Sequence, residues 1–232
     1  RVARVFIRHR GTRPPVQAFT DLATAAYCPR KLYYRRTRSD RDPPESVATI
    51  RSLAYRYEGL LDPETDLGTE PIALAPAEYR SNLERAKERL DRWGQLSDPP
   101  ETRVFLRGKD ANGIAHKLLS DPAAPVIVSP GEPPRRGVWE PHSVWATAAA
   151  KALAWERETP IECAYVEYPA HGIVRKIRLM TRRKATYRKA LRIAESIDGP
   201  PPRLRSDSRC EPCEYRDECG TRTSSLRSRL SL

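Results

Sequence analysis

Several features are scarce in this 232-residue chain, and each scarcity narrows what the protein can be. No apolar run approaches the about 18 residues that a bilayer span requires, so no membrane partner is expected. The Gly-x4-Gly-Lys phosphate loop is missing, which argues against a motor activity of its own. Aromatic residues make up only 7% of the chain, yet apolar runs persist between the charged stretches, so a folded core is expected. No internal repeat is visible. The opening residues, "RVARVFIRHRG", alternate apolar with charged, which predicts an edge strand rather than a secretory signal and, with it, a cytoplasmic protein.

Basic charge and proline are abundant. The 42 Lys and Arg residues exceed the 30 Asp and Glu, giving a net charge of +12 and a pI near 9.8. A polyanion is the partner class this balance favours. From Gly172 to Arg192, "GIVRKIRLMTRRKATYRKALR" holds nine Lys or Arg and no acid. Read as a helix from Arg182 onward, this stretch places Tyr187, Ala190, Leu191 and Ala194 on one face. Lys184, Arg188, Lys189 and Arg192 fall on the other, which is the arrangement phosphate contacts need.

Proline, used at roughly twice its average frequency, punctuates the chain in loops such as "SDPPET" and "DGPPPRLRSDS". Between them the periodicities predict a helix from Thr20, interrupted at Cys28-Pro29 and resuming through Tyr34. Further helices are expected at about 47–61 and 77–94, the second with Leu83, Ala86, Leu90 and Trp93 on one face. Three strands follow, "TRVFLRG", "GIAHKLL" and "PVIVS", with turns at "DANG" and "SDPAA". An Ala-rich helix over about 142–157, the strands "IECAYVEY" and "IVRKIRLM", the basic helix and a basic tail complete the order. The pattern is that of an α/β or α+β domain around a mixed central sheet flanked by helices. It is read as one domain over residues 1–220, with a flexible tail at 221–232.

Four of the five cysteines are organised. "CEPCEYRDEC" gives a C-x2-C-x5-C spacing at Cys210, Cys213 and Cys219, which leaves a four-coordinate site one ligand short. Cys28, in "AAYCPRKLYYRR", is the natural fourth, so a metal centre would join the two ends of the chain. A reducing compartment disfavours disulfides. On spacing alone, structural zinc and an iron–sulfur cluster are both open. Cys163, in an apolar strand, reads as a core residue.

"YCPRKLYY" together with the C-terminal cysteine triplet resembles the CRISPR-associated RecB-type exonucleases, the "Cas-four" proteins. The resemblance spans most of the chain and implies a PD-(D/E)XK nuclease-like core. It also implies a four-iron, four-sulfur cluster held by Cys28, Cys210, Cys213 and Cys219, with zinc as the alternative. Nuclease chemistry in that family needs a carboxylate at a strand end, a Glu-x-Lys on the next strand, a histidine on an earlier helix and an Asp-Arg-x-Gln-x3-Tyr helix. Magnesium or manganese is bound only where that site is active.

Here those positions correspond to Leu119, to Ile127 and Ser129, and to His142, Trp145 and Ala149, and the helix "VATIRSLAYRYEGLL" has no histidine. The catalytic set reads as lost, leaving Asp121 and Glu132 as weak replacements; His116 and His142 read as ordinary polar residues. The implied protein is a pseudonuclease that binds DNA ends or single strands through Arg30, Lys31, Arg35, Arg36 and the basic helix, with Tyr27, Tyr33 and Tyr34 stacking on bases or packing over the cluster. The alternatives are an active single-strand exonuclease with unusual site residues, and a structural subunit of a CRISPR adaptation or repair complex, partnered by an integrase or a helicase.

Overall fold

The computed structural model describes residues 15–38, 44–204 and 207–220. The expected edge strand at the start of the chain and the tail at 221–232 lie outside these residues. A two-residue strand β1 (Gln17–Ala18) runs directly into α1 (Phe19–Tyr27), and α2 (Pro29–Thr37) follows after a single residue. Where one helix was expected over about 47–61, there are α3 (Glu45–Ser52), a 3-10 turn (Leu53–Tyr55) and α4 (Tyr57–Leu61). Likewise α5 (Pro76–Arg89) and α6 (Trp93–Ser97) divide the expected 77–94 helix. Leu90 is extended there, at φ −105° and ψ 108°. The break still buries Leu83, Ala86, Leu90 and Trp93, the residues that the periodicity selects.

The strand-rich centre comprises β2 (Glu101–Arg107), β3 (Ala111–Leu119) and β4 (Ala124–Val128). The β2–β3 turn lies earlier than "DANG" suggests: Ala111 and Asn112 are already paired, and Gly108 N–H donates to Ala111 O at 2.9 Å. Then come α7 (Glu140–Glu156), β5 (Cys163–Tyr168), β6 (Ile173–Arg178), α8 (Thr181–Ser196) and α9 (Asp207–Cys210). Prolines open α2, α5 and α7, where the missing N–H has no intrahelical partner to lose.

The six strands form one mixed sheet. β2 covers one edge of β3 in antiparallel register. The other edge is shared by β1, parallel at Ala111 and Asn112, and by β4, antiparallel with Leu119 opposite Ala124. β5 runs parallel to β4, and β6 returns antiparallel beside β5. Alternate side chains leave opposite faces of each strand. Ile127, Val166, Tyr168 and Ile177 therefore enter the core beneath α1, α7 and α8. Val126, Val128, Tyr165 and Val174 enter a second core with α4, α5 and α6. All five residues of β4 are buried, as a strand covered on both faces requires.

The second core contains an ion pair without access to water. Lys117 on β3 and Glu167 on β5 point to this face, diagonally across β4, with Nζ and Oε2 2.9 Å apart and both side chains fully buried. Lys117 Nζ also donates to Ala54 O at 2.6 Å and to Leu96 O at 2.5 Å, the carbonyls of the 3-10 turn and of α6. Helix-end carbonyls lack intrahelical donors, so one ammonium satisfies two orphan acceptors and one carboxylate. Tyr57 Oη donates to the carboxylate at 3.3 Å. Burial pushes the lysine pKa down and the glutamate pKa up, and the opposite charge of each partner counters the shift.

Removing one member leaves the other buried and uncompensated, which costs about 3–5 kcal/mol. Urea unfolding of Lys117→Met is expected to show a loss of that order, and Lys117→Met/Glu167→Leu to recover much of it. A double variant no more stable than the single one would mean that the lysine contacts to Ala54 and Leu96, rather than the pair, hold the layers together.

Candidate metal centre and nucleic-acid face

Cys28 lies in the one-residue gap between α1 and α2. Pro29 cannot continue the hydrogen bonding of α1 and biases its predecessor toward extended backbone, and Cys28 sits at φ −159° and ψ 116°. Its N–H still closes α1 on Thr24 O at 2.8 Å, while its carbonyl accepts from Leu32 N at 3.2 Å. At the other end of the chain, Cys210 closes α9 and a tight turn brings Cys213 N–H to Cys210 O at 3.2 Å. Cys219 follows in a helical segment at 216–220, its N–H on Tyr215 O at 2.9 Å.

Cys28, Cys210, Cys213 and Cys219 line one cavity. Cys163 lies elsewhere, half-buried at the start of β5 and packed on the margin of the second core. Among the described residues, no three His, Cys, Asp or Glu side chains form a group close enough to hold a single metal ion.

The two ends of the chain are also joined by ordinary contacts. Tyr27 Oη donates to Arg209 O at 2.8 Å, and Arg209 Nη1 donates back to Tyr27 O at 3.0 Å. Lys31 pairs with Glu214 at 3.0 Å, and Arg38 pairs with Glu218. Tyr34 is buried and stacks on Tyr215, with ring centroids 5.6 Å apart. It is therefore a packing residue, while Tyr27 and Tyr33 are half-buried. Burial raises the Tyr27 pKa.

The cations of α2 make hydrogen bonds and ion pairs within the molecule, Arg35 and Arg36 while still exposed. Arg30 is buried and donates to Pro201 O at 3.2 Å and Tyr34 Oη at 3.3 Å. Arg35 reaches Thr24 and Thr20 hydroxyls at 3.0 Å each. Arg36 pairs with Asp21 at 2.9 Å and donates to Ala194 O at 2.6 Å, tying α1 and α2 to α8.

On α8 the arrangement is the reverse. Tyr187, Ala190 and Ala194 are buried, while Lys184, Arg188, Lys189 and Arg192 are exposed. None of these four has an ion-pair or hydrogen-bond partner among the described residues.

The positions that would carry nuclease chemistry are apolar or hydrogen-bonded. Leu119, Ile127 and Ala149 are buried hydrophobes. Leu119 lies opposite Ala124 at the turn end of β4, away from Ile127 and Ser129. The neighbour of β4's far end is His116, whose Nδ1 accepts from Val128 N–H at 3.1 Å. Asp121 and Glu132 stand beyond opposite ends of β4, whose five residues alone span about 16 Å at 3.3 Å each. They cannot share one metal ion.

Ser129, His142 and Tyr168 form a hydrogen-bonded row that sequence reasoning missed. His142 Nε2 lies 3.2 Å from Ser129 Oγ, and Nδ1 lies 3.0 Å from Tyr168 Oη. Their 13- and 26-residue separations hold no sequence signal. Lys117 and Glu167 were missed as well.

No protein-family model matches this chain, and no curated protein matches it. Among the described residues, no helix is long and apolar enough to cross a membrane.

Burial pushes the His142 pKa down to about 4 from its ordinary 6.5. The unfolded chain then binds a proton that the folded protein refuses, so stability is lost as pH falls from about 6.5 toward 4. Relative to wild type, His142→Gln should flatten the pH dependence of urea unfolding by up to about 1.4 kcal/mol per pH unit across that window. Parallel curves for the two proteins would show that the histidine titrates alike folded and unfolded.

Proposed function

We propose that this chain is a DNA-binding protein of nuclease-like fold that has lost cleavage, with a four-iron, four-sulfur cluster joining its two ends. The exposed cationic face of α8 carries the reading. Four cations without a partner among the described residues, anchored by Tyr187, Ala190 and Ala194 on the helix's other side, form a rigid row suited to successive phosphates. The carboxylate placement favours holding over cutting, because Asp121 and Glu132 lie too far apart to position a metal-bound water.

Cys28, Cys210, Cys213 and Cys219 would hold the cluster. The donor set fits: four thiols line one cavity, and Arg30, Lys31 and Arg209 around it offset the negative charge that four thiolates bring. In this reading the cluster is a staple, reinforcing the contacts of Tyr27, Tyr34 and Lys31 with the C-terminal segment.

Metal analysis of anaerobically purified protein is expected to find about four irons per chain with matching sulfide. Cys28→Ser and Cys213→Ser should each lose the brown chromophore. One zinc per chain, bound by the same cysteines, would replace the cluster with a structural zinc site.

The function itself is tested with an end-labelled single-stranded oligonucleotide. Four phosphate contacts predict a log K against log salt slope of about −3. Lys184→Ala/Arg188→Ala/Lys189→Ala/Arg192→Ala should flatten that slope and abolish most binding. With magnesium or manganese present, the cluster-loaded protein should leave the strand intact. Cleavage that disappears in Asp121→Ala or Glu132→Ala would establish an active exonuclease instead.

A further inference from the structure

A second feature suits an anion and is independent of α8. A cleft of about 750 Å³ opens between α3, the 3-10 turn at 53–55, the β2–β3 hairpin and the start of α1. That is the size of a site for a small organic ligand rather than a bare ion. Arg51 and Arg103 both line it, and no aspartate or glutamate does so among the described residues. Neither arginine has a hydrogen-bond or ion-pair partner there.

The cleft is rich in donors that lack acceptors. Arg51 Nε and Trp145 Nε1 are buried without a hydrogen-bond partner. His116 adds a third donor. Its Nδ1 is occupied as an acceptor by Val128 N–H, so Nε2 carries the proton. Burial, reinforced by Arg51 and Arg103, pushes its pKa down to about 3, which keeps the ring neutral. Burial also lowers the Arg51 pKa, and Arg103 pushes the same way. A buried donor left unmatched costs about 1–3 kcal/mol, so this cleft is poised for an acceptor-rich, negatively charged guest. The guanidinium fork matches phosphate oxygens in pairs.

The walls indicate the rest of the guest. Phe105 is 51% exposed, an unusual state for a large apolar ring, and it lies in the same cleft as the arginines. Trp145 on α7 also lines the cleft, its ring 5.3 Å from that of His116. Aromatic faces beside paired arginines are the elements that hold a base and its phosphate in single-strand binders.

We propose that this cleft holds one nucleotide of a single-stranded DNA, its phosphate on Arg51 and Arg103 and its base against Phe105. The proposal rests on the DNA-binding reading above and adds a specific seat to it.

The test uses Arg103→Ala and Phe105→Ala, both exposed positions, with folding checked by thermal melting. Anisotropy of a fluorescent single-stranded oligonucleotide should show each variant weakened by about fivefold or more, since stacking alone is worth that much per base. Thymidine monophosphate should quench tryptophan fluorescence of the wild-type protein and not that of Arg103→Ala. If the oligonucleotide binds wild type and both variants equally, the seat is overturned and the α8 reading survives. If wild type binds no oligonucleotide, that reading falls and the strand falls with it as the occupant. A fluorescence response to thymidine monophosphate would then assign the cleft to free nucleotides.

Discussion

The fold depends on one lysine that has nowhere to put its charge except Glu167. Lys117 lies near the C-terminal end of β3, yet its ammonium is sealed under the second helical layer. Carbonyls from two separate helical segments converge on it, and the tyrosine rings of Tyr55 and Tyr57 flank it at 5.2 and 5.1 Å. Apolar packing between helices and sheet is non-directional, so by itself it leaves the short α4 and α6 free to slide. A buried ammonium with three fixed acceptors removes that freedom. The pair is better understood as a register pin than as a source of net stability, because the desolvation of both ions offsets much of their attraction.

The opposite face of the sheet is assembled by a different device. α1, α7 and α8 pack with many alanines at their contacts, which lets the backbones approach closely but offers little shape specificity. Arg36 supplies the direction there, reaching Asp21 on α1, Ala194 O on α8 and the Gln17 side chain on β1. The arrangement of α8 follows from it. A helix whose last turn is held by Arg36 and whose inner face is held by Tyr187 can keep four exposed cations in line. Without those anchors, like charges on one face would disfavour the helix itself.

Much of this was legible in the sequence. Element order, the inner and outer faces of α8 and the burial of Leu83, Ala86, Leu90 and Trp93 all follow from periodicity. The pairing of "YCPRKLYY" with the C-terminal segment followed from cysteine spacing, and the structure brings those two segments together through Tyr27, Lys31 and Tyr34. The failures have a common cause. Lys117 in "GIAHKLL" drew no notice because its partners lie 50 residues ahead and 21 and 63 residues behind. The charge of Arg30, Lys31, Arg35 and Arg36 is visible in sequence, whereas the hydrogen bonds and ion pairs they make with residues far along the chain are not. The helix breaks near Leu53 and at Leu90 carry no proline or glycine, so no local rule marks them.

Register explains why the motif correspondence cannot be rescued by moving carboxylates. Leu119 and Ile127 look adjacent along the chain, but the β3–β4 pairing sets Leu119 against Ala124 and leaves His116 beside the far end of β4. The cleft on that side is lined by Arg51, Arg103 and His116. A divalent cation needs several oxygen ligands, most of them anionic. Two guanidiniums facing the same space raise the potential there and repel it. The same two groups attract a phosphate, and a neutral His116 can donate to it without adding a competing charge.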